Sequence, residues 1–325
     1  MRLNRRFCVA PMMDWTDRHC RAFHRVLTRH AVLYTEMVTA DAVRFGKRAQ
    51  LLDFSDLEHP IAVQLGGSDP VALAEAARIC SDWGYDEINL NVGCPSDRVQ
   101  AGRFGACLMR EPALVADCLS AMRAVVDLPV TVKHRIGVDD QVPEDTLFGF
   151  VETLHAAGTT VFIVHARKAI LAGLSPKDNR TVPPLDYDLV HRLKRAFPAA
   201  EIIINGGFET VDACVGQLAH LDGVMVGRAA YHTPAMLGAV DRMVYGDGAD
   251  VAPFDAVAAH RPYIAAQLAE GVPLHTLLKP MLGLFAGMPG GRLWRQVISV
   301  EGVKRGAGIV VLDQALEAVR SRVQA

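Results

Sequence analysis

Short apolar runs recur along the chain at intervals of roughly 20 to 35 residues. They fall at Phe7–Ala10, Leu33–Glu36, Ile61–Leu65, Glu87–Asn91, Val130–His134, Val161–His165, Ile202–Asn205 and Val224–Gly227. Each reads as a strand. Between them, Pro70–Trp83, Ala113–Val126, Thr146–Ala157 and Leu185–Phe197 carry apolar residues at helical spacing. Helix-start signals stand at Ser68-Asp69-Pro70 and Glu111-Pro112. Eight strand–helix units within about 240 residues have the size and rhythm of an α/β (β/α)8 TIM barrel. A doubly wound open sheet would bring a G-x-G-x-x-G after its first strand, and none follows Phe7–Ala10.

The rhythm changes after Arg242. Tyr245 to Pro253 is a linker by composition, rich in Gly and Asp. From about residue 255 onward, strand-like runs become rare and Ala, Leu, Gln and Glu dominate, which predicts an all-α C-terminal domain. A glycine-rich break, Gly283 to Gly291, interrupts it ahead of Arg292-Leu293-Trp294-Arg295. The expected organisation is a barrel over 1–246 and a helical domain over 247–325.

Composition narrows the class. Half of the 325 residues are apolar and 22% are charged, as in a compact globular protein with a large core. No apolar run approaches the roughly 20 residues of a membrane span. The apolar piece before Pro11 is too short for a signal peptide, so no export is expected. The seven cysteines form no C-x-x-C pair, which argues against zinc and a disulfide framework and for a reducing, cytoplasmic setting. No metal site is expected. Net charge is −2, yet residues 1–50 hold ten Lys/Arg against four Asp/Glu, and the stretch from 255 on holds eight against five. Basic ends around an acidic middle suit a phosphate-binding surface.

The candidate chemistry lies where the strands end. The first strand runs into Pro11-Met12-Met13, the third into Gln64-Leu65-Gly66, and the fourth into Asn91-Val92-Gly93-Cys94. Later strands end in Lys133-His134-Arg135, His165-Ala166-Arg167, Asn205-Gly206-Gly207 and Gly227-Arg228. Amides, cations and imidazoles thus gather on the C-terminal rim, where barrels do their chemistry. Phosphate sites of barrels are often built after strands seven and eight. There Asn205-Gly206-Gly207 permits close backbone approach, and Arg228 after Gly227 adds a guanidinium that can fork onto a phosphate. The phosphate could belong to a sugar phosphate, a pyridoxal phosphate or a flavin mononucleotide (FMN). Lys133 could form a Schiff base with an aldehyde. It could equally stand beside N1 and the C2 oxygen of a flavin, whose pyrimidine edge Gln64 could read. His165 could face the same ring.

With a flavin present, Cys94 acquires a role. Reducing a polarised C=C bond takes a hydride on one carbon and a proton on the other. Flavin N5 delivers the first, and an acid on the opposite face delivers the second. A thiol of pKa roughly 8.5 is still protonated at neutral pH and can be that acid. Asn91, three residues earlier, could hold the substrate's carbonyl or imide edge. A free cysteine is ordinarily just a small buried residue, and the other six are read that way.

Ala10-Pro11-Met12, Gln64-Leu65-Gly66, Asn89-Leu90-Asn91-Val92-Gly93-Cys94-Pro95, Lys133-His134-Arg135-Ile136-Gly137, His165-Ala166-Arg167 and Asn205-Gly206-Gly207 together resemble the tRNA-dihydrouridine synthases. The likeness covers nearly the whole chain. Gly173 to Arg180 and Gly283 to Arg292 are similar to the A-type bacterial subfamily. The resemblance implies FMN-dependent reduction of the C5=C6 bond of uridines 20 and 20a in the tRNA D-loop, with NADPH as reductant. It places the proton donor on Cys94. Flavin contacts fall on Pro11, Met12, Met13, Gln64, Lys133, His165, Asn205, Gly206, Gly207, Gly227 and Arg228. tRNA contacts fall on Asn91, Lys177, Arg180, Arg292 and Arg295. Arg292 and Arg295 share a face if their segment is helical, and the target base must leave its stack to enter the barrel. A monomer is expected. Two other readings stand beside this one: a small-molecule FMN-dependent ene reductase or dehydrogenase, and a non-catalytic RNA-binding barrel.

Overall fold

The computed structural model describes residues 3–324, with Arg98 described for its backbone alone. Eight parallel strands close into a barrel in chain order. They are β1 (Phe7–Val9), β2 (Val32–Thr39), β3 (Ile61–Gly66), β4 (Glu87–Val92), β5 (Val130–Arg135), β6 (Val161–His165), β7 (Glu201–Asn205) and β8 (Gly223–Val226). Every apolar run read from the sequence is a strand. β2 runs past its expected end, because the register shifts between Tyr34 and Met37 and pairing with β3 then resumes. The helical spacing read between strands corresponds to Pro70–Trp83, Pro112–Arg123, Pro143–Ala156 and Tyr187–Ala196. Asp69 caps the first of these by accepting from the N–H groups of Val71 and Ala72, and Pro70 sits where its missing N–H has no consequence.

Alternation along the strands sorts side chains between two cores. Ile88, Leu90, Val92, Val130, Val132, Phe162 and Val164 face outward into the large core shared with the helices. Cys8, Ala10, Tyr34, Ala62, Ile163, Ile203 and Met225 form a smaller cluster inside the barrel.

Beyond the barrel come helices Pro253–Ala269, Leu274–Leu278, Gly291–Glu301 and Val310–Val323. They pack around Trp294, which is fully buried and donates its indole N–H to the Met281 carbonyl at 2.9 Å. The unit is seated on the first strand–helix turn of the barrel. His19 Nδ1 lies 2.8 Å from the Tyr263 hydroxyl, and Lys279 Nζ donates to the Asp14 carbonyl at 2.8 Å. A Cβ on Gly283 would lie 1.8 Å from the His232 carbonyl oxygen, so glycine is what permits this close approach.

The segment read as a linker is instead tied down. Asp250 pairs with Arg242, Asp247 with His30 and Arg29, and the Val251 N–H bonds the Gly238 carbonyl. Its Gly/Asp composition serves turns and ion pairs rather than free play. The basic N-terminal segment likewise turns partly inward. Arg5 pairs with Glu87 and Arg21 with Glu58, both buried, so these charges add nothing to a surface field. Among the described residues no helix is long and apolar enough to cross a membrane.

Candidate active site

Strand register collects the rim residues side by side. Gln64 pairs with Asn89, Asn91 with Lys133, Arg135 with His165, His165 with Asn205, and Asn205 with Met225. Since side chains alternate, Gln64, Asn91, Lys133, Arg135, His165 and Asn205 share the inner face at the C-terminal end. His134 does not belong with them. One position out of step, it points outward against Phe150 and Phe162, and burial pushes its imidazole down to about 4.

The positive groups here bond neutral oxygens. Lys133 Nζ donates to Asn205 Oδ1 at 3.1 Å, and Asn205 in turn donates to the Met225 carbonyl at 2.8 Å. Arg135 donates to the carbonyls of Gly93, Lys168 and Asn179 at 3.2, 3.1 and 2.9 Å. Arg167 bonds the Pro183 carbonyl, and Arg228 the Arg180 carbonyl at 3.1 Å. Burial, followed by the charge of Arg135, lowers the Lys133 ammonium to about 7. His165 is pushed well below the usual range, first by burial and then by Arg135, Lys133, Arg167 and Arg228. It is therefore a neutral ring in a positive field. Such a field, without carboxylates to balance it, suits an anion.

The backbone at β7 and β8 is shaped for the same purpose. Gly206 and Gly207 have φ of 127° and 78°. A Cβ at Gly207 would stand 2.6 Å from Leu185 and 2.9 Å from the Tyr187 hydroxyl, so glycine is required on both counts. Tyr187 holds the turn by donating to the Gly206 carbonyl at 2.6 Å. The N–H groups of Gly206, Gly207 and Gly227 lie at the ends of the neighbouring strands β7 and β8. With Arg228 beside them, they form a cradle suited to a phosphate.

Cys94 stands on the turn after β4, half-buried, with its sulfur 3.5 Å from the Ser96 hydroxyl. The turn is clamped from beneath, because Asn91 Oδ1 accepts from the N–H groups of Gly93 and Cys94 at 3.1 and 3.0 Å. The Ala106 N–H closes the far side on the Cys94 carbonyl at 2.9 Å. Ahead of Cys107, residues 102–104 form a turn between a short helix at Asp97–Ala101 and a 3-10 helix at Gly105–Arg110. Cys107 bonds the Phe104 carbonyl and is raised by burial.

The remaining expected residues separate into groups. Pro11 and Met12 are half-buried on the β1 turn, with Thr16 closing it onto Met12, while Met13 is 54% exposed. Asn91 is only 8% exposed and its carboxamide is engaged within the barrel. Lys177 and Arg180 are exposed on the long segment after β6. Arg292 and Arg295 are exposed on one face of helix Gly291–Glu301, and Arg322 of the last helix lines the same shallow depression as Arg292. Reading strand ends alone missed the inward residues lower in the barrel: Glu87, Asn89 and Thr131. The alternation of Glu87, Asn89 and Asn91 in an otherwise apolar strand is the signal that points to them.

The family model described as dihydrouridine synthase (Dus) matches residues 8–320. A tRNA-dihydrouridine(20/20a) synthase from Xanthomonas campestris is 56% identical over 310 residues, covering 95% of this chain and 92% of that one. Proteins of the same description from Escherichia coli K12 and Shewanella oneidensis are 54% and 53% identical, each over 98% of this chain and 92% and 95% of theirs. A solved structure of 2-naphthoyl-CoA reductase with 2-naphthoyl-CoA superposes with a TM-score of 0.55 at 11% identity. It covers 74% of this chain and 51% of that one, a likeness of fold alone. The chain belongs to the dihydrouridine synthase family.

Proposed function

We propose that this protein reduces the C5=C6 bond of uridines 20 and 20a in the tRNA D-loop, with FMN as cofactor and NADPH as reductant. The observation that carries the reading is the rim itself: a thiol on a clamped turn beside a positive, carboxylate-poor pocket with a phosphate cradle. Those residues fit FMN. Gly206, Gly207, Gly227 and Arg228 would hold its phosphate. Lys133, Gln64, His165, Asn205 and the Pro11-Met12-Met13 turn would surround its ring. When bound, the flavin supplies a hydride to one carbon of the uracil double bond. Cys94 supplies the proton to the other carbon. Lys133 offers N–H groups to an anionic acceptor on the ring.

Residues 247–325 act as the tRNA-binding domain, with Arg292 and Arg295 on phosphates and Lys177 and Arg180 gripping from the barrel side. A small-molecule reductase on the same barrel would have no use for the exposed arginines of this helical unit. Two measurements test the reading. The purified protein should show a flavin absorption band, and tRNA from cells lacking the protein should carry unmodified uridine at positions 20 and 20a. A colourless protein that FMN cannot reconstitute, or undiminished dihydrouridine at both positions, would refute it.

A further inference from the structure

A continuous line of hydrogen bonds runs through the barrel from the Arg5–Glu87 pair to the Cys94 turn. Glu87 Oε2 accepts from Arg5 Nε at 2.5 Å, and its Oε1 accepts from the hydroxyls of Tyr34 and Thr131, both at 2.6 Å. Thr131 Oγ1 accepts from Asn89 Nδ2 at 2.8 Å, Asn89 Oδ1 from Gln64 Nε2 at 2.8 Å, and Gln64 Oε1 from Asn91 Nδ2 at 2.7 Å. Asn91 Oδ1 then accepts from the peptide N–H groups of Gly93 and Cys94. Glu87, Asn89 and Thr131 are fully buried, and Gln64 is 1% exposed.

The direction of every bond in this line is forced. A carboxylate only accepts, so Thr131 must give its single proton to Glu87 and can only accept from Asn89. That turns the Asn89 oxygen to Gln64, which must meet it with its NH2, leaving the Gln64 oxygen to face the Asn91 NH2. Reversing the line would set the Asn91 NH2 against two peptide N–H groups at the top and, with the single Thr131 proton spent on Asn89, the Thr131 oxygen against the Glu87 carboxylate at the bottom. The charge on Glu87 and the peptide donors of the Cys94 turn therefore specify one arrangement from opposite ends.

We propose that Glu87, Thr131 and Asn89 are positioning residues for the reaction: they fix which atoms Gln64 and Asn91 present at the barrel mouth and hold the Cys94 turn in place. In this arrangement each of those two amides keeps one N–H outside the line, so the mouth offers hydrogen-bond donors to the carbonyl oxygens of the flavin and uracil rings. The inference rests on the function proposed above, and it gives Asn91 a role beneath Cys94 in addition to a contact with the target base of the tRNA.

The test uses full-length protein. Thr131→Val removes the one hydroxyl that links the carboxylate to the amides and preserves shape. Thr131→Ser restores the hydroxyl. Arg5→Met combined with Glu87→Gln removes the buried charge without orphaning a guanidinium. Expected are a kcat about tenfold lower at unchanged KM for tRNA in Thr131→Val and in the double variant, with Thr131→Ser near wild type. Alkylation of Cys94 by iodoacetamide, read by peptide mass spectrometry without tRNA, should be several-fold faster in the two impaired variants. Rates of turnover and alkylation within about twofold of wild type in whichever of the two variants folds would overturn the proposal. So would Thr131→Ser as impaired as Thr131→Val, which would indicate packing alone. Should no protein, wild type included, make dihydrouridine, the functional reading fails while alkylation still reports on the line of bonds.

Discussion

Beneath His165 and Asn205 at the rim, the barrel interior on β1, β6, β7 and β8 is lined largely by Cys8, Ala10, Val161, Ile163, Ile203 and Met225. On β3, β4 and β5 the same interior holds Gln64, Glu87, Asn89, Asn91 and Thr131. The apolar side gains its stability from burial, which has no preferred direction, so shape can be traded between neighbours. The polar side has little such freedom, because each donor and acceptor dictates the next, and a single missing partner leaves a buried group unsatisfied. One side makes the barrel stable. The other aims the rim.

The contrast is broken most severely at Glu87. Glu87→Ala leaves the buried Arg5 guanidinium with Glu201 alone, strands the hydroxyls of Tyr34 and Thr131, and should destabilise by about 3–5 kcal/mol in urea unfolding. A loss below about 1 kcal/mol would show that the polar column is not held by its charge.

Lys133 carries the contrast to the rim. Lys133→Met should weaken flavin binding by about 10- to 100-fold, the scale of a lost charged hydrogen bond. It also has a pH signature in flavin-free protein. The folded-state value of about 7 lies below the roughly 10.4 of an unfolded lysine. The unfolded chain thus binds more protons between those values, and Lys133's unfavourable contribution, full below pH 7, fades as pH rises through the window. Thermal unfolding should show wild type gaining stability from pH 7 to pH 10 relative to Lys133→Met. Parallel curves for the two proteins would contradict the burial of this charge.

Smaller effects are expected away from the column. Replacing Arg292 and Arg295 together by Ala should reduce the slope of log affinity against log salt by about 2 and leave kcat at saturating tRNA unchanged. An unaltered slope would remove these residues from the RNA surface. On the apolar side, Ile203→Val should lose only about 0.5–1.5 kcal/mol. Cys94 alkylation and kcat should stay at wild-type values there; a change in either would erase the distinction between the two sides.

Much of this was legible in the chain, and unequally. The strands announce themselves as apolar runs because each is buried on both faces, and their ends carry the rim chemistry in plain order. Gly206-Gly207 and Gly227-Arg228 stand at the ends of the neighbouring strands β7 and β8, as strand number alone leads one to expect. What stayed hidden depends on register between distant strands. Glu87 meets Tyr34 and Thr131 across sequence separations of 53 and 44 residues, and no local pattern announces those contacts. The outward turn of His134 follows from the two-residue period, yet a reading by clusters at strand ends passes over it. Asp247 and Asp250 look like linker residues until Arg29, His30 and Arg242 are brought to them.

The account centres on Cys94 as the proton donor, and one measurement addresses it directly. Cys94→Ala protein, loaded with flavin and reduced beforehand, is mixed with tRNA lacking dihydrouridine, and product is followed through a single turnover. Flavin content and its reduction by NADPH should match wild type, while dihydrouridine formation slows by about 100-fold or more. Formation of dihydrouridine at the wild-type rate in that protein would contradict the assignment.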